Sequence, residues 1–512
     1  MSASKSTCSL DPIPTILLKS VLPDLLNVIT KITNESLSSG IFPCELKTAL
    51  VKPVLKKASL DCNVFKNYRP VSNIPFLSKV IEKAVSQRLI TYLSENNLLE
   101  EFQSAYKVKH STETALLEVQ NQILTSLDRG DGVFLALLDL SAAFDTVEHA
   151  ILLRFMEMSL GVCGTVLNWF SSYLSERTQQ VSIENTVSES GSVLYGVPQG
   201  SVLGPIIFCV YILPLGKIIQ NHGLKYHIYA DDTQLLCPFP IHDPFPVLNK
   251  LELCVADIRA WMLKNQLKVN DDKTEFLVIA SKSKQQHLPD SLSLQVGTST
   301  VTASESARNL GVVFDKEMDM NAQVSSVCRS VHFHLRKISS IRHLLTTAAT
   351  EKLVHSLISS RLDYCSVLLT GLPSYRVRRL QAAQNSAARV VSKTKKYDHI
   401  TPVLQSLHWL PVEHRITFKL LLITFKILRD QAPAYLKVLL SLHVPGRSLR
   451  SANQQLLSVP VTHLKTYGDR TFAYAAAHMW NSLPLTIKSS SDVESFKSCL
   501  KTHLFKIAYC DT

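Results

Sequence analysis

Several features that would classify a chain at once are missing here. The 11 cysteines are an odd number, scattered, and nowhere spaced C-x-x-C, so neither a disulfide scaffold nor a zinc ribbon is expected. Cys499, His503 and Cys510 would share a metal only at an unfamiliar spacing. Reduced thiols in an intracellular protein are the plainer expectation. The longest apolar run, Val202 to Gly216, is interrupted by Pro205 and Pro214 and falls short of the roughly 18 residues that cross a bilayer. The N-terminus, MSASKSTCSL, has no basic segment followed by an apolar core, which excludes a secretory signal. Tandem repeats and low-complexity tracts are also lacking. Membrane and secreted classes are thus set aside. KTKK (393–396) is too short to argue for the nucleus over the cytoplasm.

Acidic residues are scarce in one half only. Residues 1–320 hold 28 Lys and Arg against 33 Asp and Glu, and residues 321–512 hold 26 against 9, which together make the net charge of +12. Such asymmetry suggests that the second half meets a polyanion, although a basic but ordinary helical domain would look the same. The chain's 512 residues suffice for about three domains of ~150 residues each. With 46% hydrophobic and 19% charged residues, it has the balance of a folded chain.

The pattern along the chain alternates between periods. Residues 11–35 read as one or two amphipathic helices punctuated by Pro12, Pro14 and Pro23. Ala49–Leu55 is extended and apolar and ends in Lys56–Lys57, and NYRPVSNIP (67–75) is too rich in proline and asparagine for a helix. Residues 76–93 and 112–127 are helical by period, the latter with Ala115, Leu116, Val119, Ile123 and Leu127 on one face. VFLALLDL (133–140) is a continuous apolar run of the kind that forms a strand covered on both faces. KYHIYADDTQLLC (225–237) reads as two short strands about a tight Asp-Asp turn. A polar stretch (281–298) breaks the pattern. Beyond about residue 320 the chain reads as mostly helical, with Arg376, Arg379 and Arg389 on one helix.

The chemistry begins with a misplaced charge. Asp139 closes an otherwise apolar strand, where an unpaired carboxylate would be costly to bury. Either it caps an exposed strand end or a cation holds it. Asp231 and Asp232, adjacent in a tight turn, repel each other unless a cation lies between them. Three carboxylates gathered from two neighbouring strands can bind two divalent ions, which sit roughly 3.5–4 Å apart when they act on a transferring phosphate. Magnesium prefers such an all-oxygen shell, and manganese is a possible substitute.

YADD (229–232) with LDLSAAFD (138–145) resembles the palm of reverse transcriptases, specifically those of non-LTR (LINE-type), jockey-like retrotransposons. The resemblance continues in order through NYRPVSNIPFLSKVIEK (67–83), QSAYKVKHSTETAL (103–116), GVPQGSVLGPIIF (196–208), LKVNDDKTEFLVI (267–279) and NLGVVFD (309–315). SRLDYCSVLLTGLP (360–373) and LHWLPVEHRITFK (407–419) look like the same group's C-terminal region. The resemblance implies an α+β right-hand polymerase with an antiparallel palm sheet, followed by a mainly helical basic region. Its parts would be an N-terminal helical extension (1–35), fingers and palm (36–315), a helical thumb (316–400) and the basic C-terminal region (401–512).

It also implies roles. Asp139, Asp231 and Asp232 would hold two Mg²⁺ ions. Phe144 would exclude a ribose 2′-hydroxyl, with core packing as its alternative. Gln199 and Gly200 would lie under the incoming base and template, where a glycine lets backbone approach closely. Arg69, and Lys56 less specifically, would hold the triphosphate. Lys273 would protonate the departing pyrophosphate, or be an ordinary loop charge. Asp145 would cap the following helix. The NLGVVFD hairpin would place the primer end, and the basic region would track an RNA–DNA hybrid. Trp409 and Trp480 are read as core residues before stacking ones. The implied partners are an RNA template, a DNA primer or nicked target DNA, and deoxynucleoside triphosphates, with no membrane. An endonuclease is not expected within this chain.

One block departs from the family: Ala105 and Tyr106 stand where a glycine and a phenylalanine are usual, so a turn needing positive φ would be strained. The competing reading is a catalytically silent nucleic-acid-binding remnant.

Overall fold

The computed structural model describes residues 8–57, 59–141, 144–184, 186–289, 291–443 and 454–510. Strands form where apolar residues run continuously or alternate. In chain order they are β1 (Thr48–Leu55), β2 (Tyr68–Asn73), β3 (Gly132–Leu138), β4 (Leu140–Ser141), β5 (Arg177–Ile183), β6 (Thr186–Val187), β7 (Gly191–Val193) and β8 (Lys225–Tyr229). There follow β9 (Asp232–Phe239), β10 (Lys268–Val269), β11 (Glu275–Ile279), β12 (Ser293–Val296), β13 (Ser299–Thr302), β14 (Ser306–Asn309) and β15 (Val312–Asp315).

The central sheet is antiparallel, in the order β11-β3-β9-β8. Side chains alternate across a strand, and here both faces are covered. Phe134, Ala136, Leu138, Leu235, Cys237, Phe239, Phe276 and Val278 enter one core. Val133, Leu135, Leu236, Leu277 and Ile279 enter another. That double burial is why VFLALLDL carries no polar alternation. The first core is filled by helices Phe76–Glu95, His149–Leu160, Gly164–Leu174, Gly204–Tyr211, Leu213–Asn221 and Phe245–Lys264. A second sheet, β2-β1-β5-β6 with β7 also on β5, lies earlier in the chain, and its β1–β5 pair is parallel.

Helix Thr112–Arg129 packs both on the central sheet and on the later part of the chain. It starts in a capping box, with Ser111 and Thr114 exchanging side-chain and backbone bonds, and ends at Gly130, φ +93°. It lies in the second core with helices Asn321–Ser340, Ser374–Ser392, Val412–Leu428 and Phe472–Ser482. A third core joins Leu421 and Phe425 to Trp480, Phe496, Leu500 and Leu504. Trp409 and Trp480 are both buried, as core packing requires.

Some expectations change. The stretch Gly204–Asn221 does have the length and mean hydropathy (1.3) of a membrane span, contrary to the reading of its prolines, but half of it is buried within the fold. It comprises two helices that meet at Ile212. Asp145 does not cap the next helix; Glu148 does, accepting the Ile151 N–H at 2.6 Å. The positive φ in the QSAY block falls on Tyr106 (+59°) and not on Ala105. The polar stretch 281–298 contains a short helix, Lys282–Gln285, and β12.

Candidate active site

Strand register brings the carboxylates together. β3 pairs Leu138 with Thr233, so Asp139, one residue on, stands opposite Asp232 at the same end of the sheet. β8 and β9 pair Tyr229 with Asp232, which leaves Ala230 and Asp231 as a two-residue turn. Such a turn needs a left-handed residue, and Ala230 supplies it at φ +55°. The Gln103 side-chain oxygen braces this turn, accepting the Ala230 N–H at 3.1 Å and the Ala105 N–H at 2.8 Å.

The three acids feel each other. Burial, then the charge of Asp139, pushes the Asp231 carboxyl up, while Lys273 and Arg69 oppose this. Asp232 is pushed up to about 6 by burial, then by Asp231 and Asp139. One cation already answers them: Lys273 Nζ donates to Asp139 Oδ2 at 2.6 Å. Lys273 is itself 65% exposed, on the short turn between β10 and β11. Among the described residues, no three His, Cys, Asp or Glu side chains converge on a metal-holding geometry; that holds for these acids and for the Cys499–Cys510 segment. Still, the donor set is all carboxylate oxygen, and its mutual repulsion is what a hard divalent cation relieves.

A cleft of about 520 Å³ opens beside the acids, walled by Asp139, Asp232, Lys273, Lys57, Arg308 and Leu310 among others. Lys57 was not singled out in the sequence, where Lys56 was. Lys56 Nζ instead donates to the Lys66 carbonyl at 2.7 Å, across the β1–β2 hairpin. Arg69 lies exposed on β2 and acts on Asp231 through its charge. On the far wall, NLGVVFD forms the expected hairpin, β14–β15, with Leu310 and Gly311 in its turn at φ +42° and +87°. Tyr364, from the distant 360–373 segment, donates its hydroxyl to the Leu310 carbonyl at 2.6 Å. Asp363 beside it is clasped by Arg415, with Nε to Oδ1 at 2.9 Å.

The Gly196–Leu203 loop packs against the turn that carries Phe144 and Asp145. Val197 N–H donates to the Phe144 carbonyl at 2.8 Å, and the Gln199 amide donates to both Asp145 oxygens at 2.9 and 3.0 Å. The Phe144 ring rests on Phe208 with centroids 4.8 Å apart. Gly200 has φ +130°, and a Cβ there would collide with the Ser72 carbonyl oxygen, so only glycine fits. Gln103, Lys57 and Tyr364 are the residues that sequence reasoning passed over. Gln103 and Tyr364 lie inside quoted motifs, which was their only signal; Lys57 had none beyond its charge.

The family model described as reverse transcriptase (RNA-dependent DNA polymerase) matches residues 54–314. The probable RNA-directed DNA polymerase from transposon X-element of Drosophila melanogaster is 24% identical over 374 residues, 71% of this chain and 40% of the relative. The RNA-directed DNA polymerase from mobile element jockey, also of Drosophila melanogaster, is 24% identical over 67% of this chain and 37% of its own length. The chain thus spans about two fifths of the length of these curated relatives. A solved structure of telomerase from Candida albicans aligns over 73% of this chain and 62% of that one, at 13% identity and a TM-score of 0.36.

Proposed function

The chain belongs to the reverse transcriptase (RNA-dependent DNA polymerase) family, and from that premise we propose that it extends a DNA primer with deoxynucleotides on an RNA template. The observation that carries this reading is the register placing Asp139 opposite Asp232, with Asp231 in the intervening turn, so that three carboxylates share one end of the sheet. Asp139, Asp231 and Asp232 are the residues that would hold divalent cations, Mg²⁺ or in its place Mn²⁺. Bound there, such ions supply charge neutralisation at a transferring phosphate and activation of the attacking oxygen.

The chain's own groups do the rest. Arg69 and Lys57, with Lys56 behind them, meet the triphosphate, whose oxygens suit guanidinium and ammonium donors. Lys273 exchanges its Asp139 partner for the leaving pyrophosphate and delivers a proton to it. The Phe144 ring excludes a 2′-hydroxyl by bulk, and Gln199 and Gly200 support the base pair being formed. In this reading residues 36–315 are fingers and palm, 316–400 a thumb, and 401–512 a basic region that follows the hybrid backbone. Of the proposed N-terminal extension (1–35), the described residues hold helix Thr15–Ser20 and most of helix Leu22–Ser39. The β14–β15 turn, latched by Tyr364, sets the primer end.

Primer extension tests this directly. Purified protein, RNA template with annealed DNA primer, deoxynucleotides and Mg²⁺ are expected to give extension. An Asp231→Asn, Asp232→Asn variant is expected to lose at least ~100-fold in rate, about 2.7 kcal/mol of transition-state stabilisation. A folded wild type that binds the hybrid and adds no nucleotide would replace this reading with that of a silent binding protein.

A further inference from the structure

Glu82 is 0% exposed, a carboxylate sealed inside the first core, where a charge is costly unless its oxygens are used. They are used on the Gly196–Leu203 loop. Oε2 accepts the Val202 N–H at 2.6 Å and the Leu203 N–H at 3.1 Å, and Oε1 accepts the Ser78 hydroxyl at 3.1 Å. Those two amides immediately precede helix Gly204–Tyr211, so Glu82 caps that helix from a different part of the chain. Burial pushes the Glu82 carboxyl up, and the two amides and the buried Arg177 oppose this. From the other side of the loop, Ser72 on β2 donates its N–H to the Gln199 carbonyl at 2.7 Å. Ser72 and Glu82 come from one stretch of chain, residues 67–83, which therefore grips the loop at its middle and at its C-terminal end.

The grip reaches the Phe144 ring by two routes. The helix that Glu82 caps carries Phe208, on which the Phe144 ring rests. The loop itself holds the Phe144 carbonyl through Val197 and the Asp145 carboxylate through Gln199. We propose that Glu82 is a positioning residue that sets where Phe144 stands against the sugar, and Gln199 under the base, of the incoming nucleotide. This rests on the polymerase reading above. Glu82 does not touch the nucleotide; it fixes the wall that does. Displacing catalytic-site geometry by about 1 Å can cost on the order of 100-fold, so a remote carboxylate can govern both affinity and sugar choice.

The test compares three full-length variants. Glu82→Leu keeps the volume and removes both acceptors. Glu82→Gln keeps one carbonyl oxygen for the two amides and an amide group for Ser78, and serves as the rescue. Glu82→Asp withdraws the carboxylate by one methylene. In primer extension, E82L is expected to raise the deoxynucleotide KM by ~10-fold and to lower deoxy-over-ribo discrimination by ~10-fold, with kcat within ~3-fold. E82D is expected to move the same quantities by about 3-fold, and E82Q to stay within about 2-fold of wild type. Amide hydrogen exchange supplies a readout free of activity: Val202 and Leu203 should exchange at least ~10-fold faster in E82L, and in E82D if E82L does not fold. A folded E82L or E82D with wild-type KM, discrimination and exchange rates overturns the proposal. So does a variant that merely melts earlier while its folded molecules discriminate as the wild type does. A wild type that extends no primer overturns the polymerase reading instead, and the exchange rates then still decide whether Glu82 grips the loop.

Discussion

Residues before about 320 and those after it stabilise the same site by different means. The earlier, slightly acidic part holds its carboxylates on paired strands, and the contacts that place them run between neighbouring motifs: β3 with β9, β8 with β9, and Gln103 with Ala230. The later, basic part offers its bracing contacts from afar. Tyr364 latches the β14–β15 turn, Lys419 grips Glu113 at 3.0 Å, and Tyr435 bonds Ser104 at 2.9 Å. Asp128 accepts the backbone N–H groups of His463 and Leu464. Helix Thr112–Arg129 receives several such ties: Gln120 and Asn121, buried on it beside the apolar stripe, bond the Leu368 carbonyl and the Ala473 N–H. A basic half that might have been a detachable nucleic-acid arm is instead packed into the second core, and its positive charge is an additional property of a structural element.

Three measurements would break or sharpen that contrast. The largest effect is expected at the seam itself. His227 on β8 bonds the Ser104 hydroxyl at 2.8 Å, and Ser104 bonds Tyr435. Burial pushes the His227 imidazole down to about 3. Because its folded value lies below its unfolded one, the neutral ring contributes stability above the ordinary histidine range, and that contribution is lost as pH falls from about 6.5 toward about 3. The unfolding free energy should drop by up to about 1.4 kcal/mol per pH unit in that window, read as a falling denaturant midpoint. His227→Gln should lose this share of the slope; if it and the wild type decline in parallel, the seam is not a neutral buried histidine.

A smaller cost is expected from Lys419→Met, which strands the Glu113 carboxylate and the Asp363 carbonyl it now satisfies. About 2 kcal/mol should go, read as a shifted urea midpoint at constant slope. Adding Glu113→Gln should recover part of it. No change would mean that the later half rests on the site without supporting it. The smallest effect belongs to Tyr364→Phe, which removes the bond to the Leu310 carbonyl and a longer one to the Thr112 hydroxyl, together worth about 1 kcal/mol. The primer–template KM should rise about 3-fold to 5-fold while kcat holds; a fall in kcat alone would place Tyr364 in the chemistry rather than in the latch.

How much of this could be read beforehand depended on distance along the chain. VFLALLDL and the two strands about YADD were legible because a strand is set by local pattern, although the turn fell on Ala230 and Asp231 and not on the two aspartates; the NLGVVFD hairpin was legible through the resemblance. Lys56 and Lys57 were not separable, because adjacent residues look alike until the hairpin decides which one faces the cleft. Asp145 was read as a cap because aspartate often is one; the loop bearing Gln199 claimed its carboxylate instead. Glu82 looked like an ordinary charge on an amphipathic helix, and nothing local distinguishes it from Lys83 beside it.

By itself, then, the sequence determined the order of the main elements, the residue types of the candidate site and the family, since these depend on residue type and short spacing. Tertiary structure alone decided the partners: Tyr364 for Leu310, Glu82 for Val202 and Leu203, Tyr435 for Ser104. A hydrogen bond between residues tens to hundreds of positions apart exists only once the cores between them have closed, and no local pattern records it.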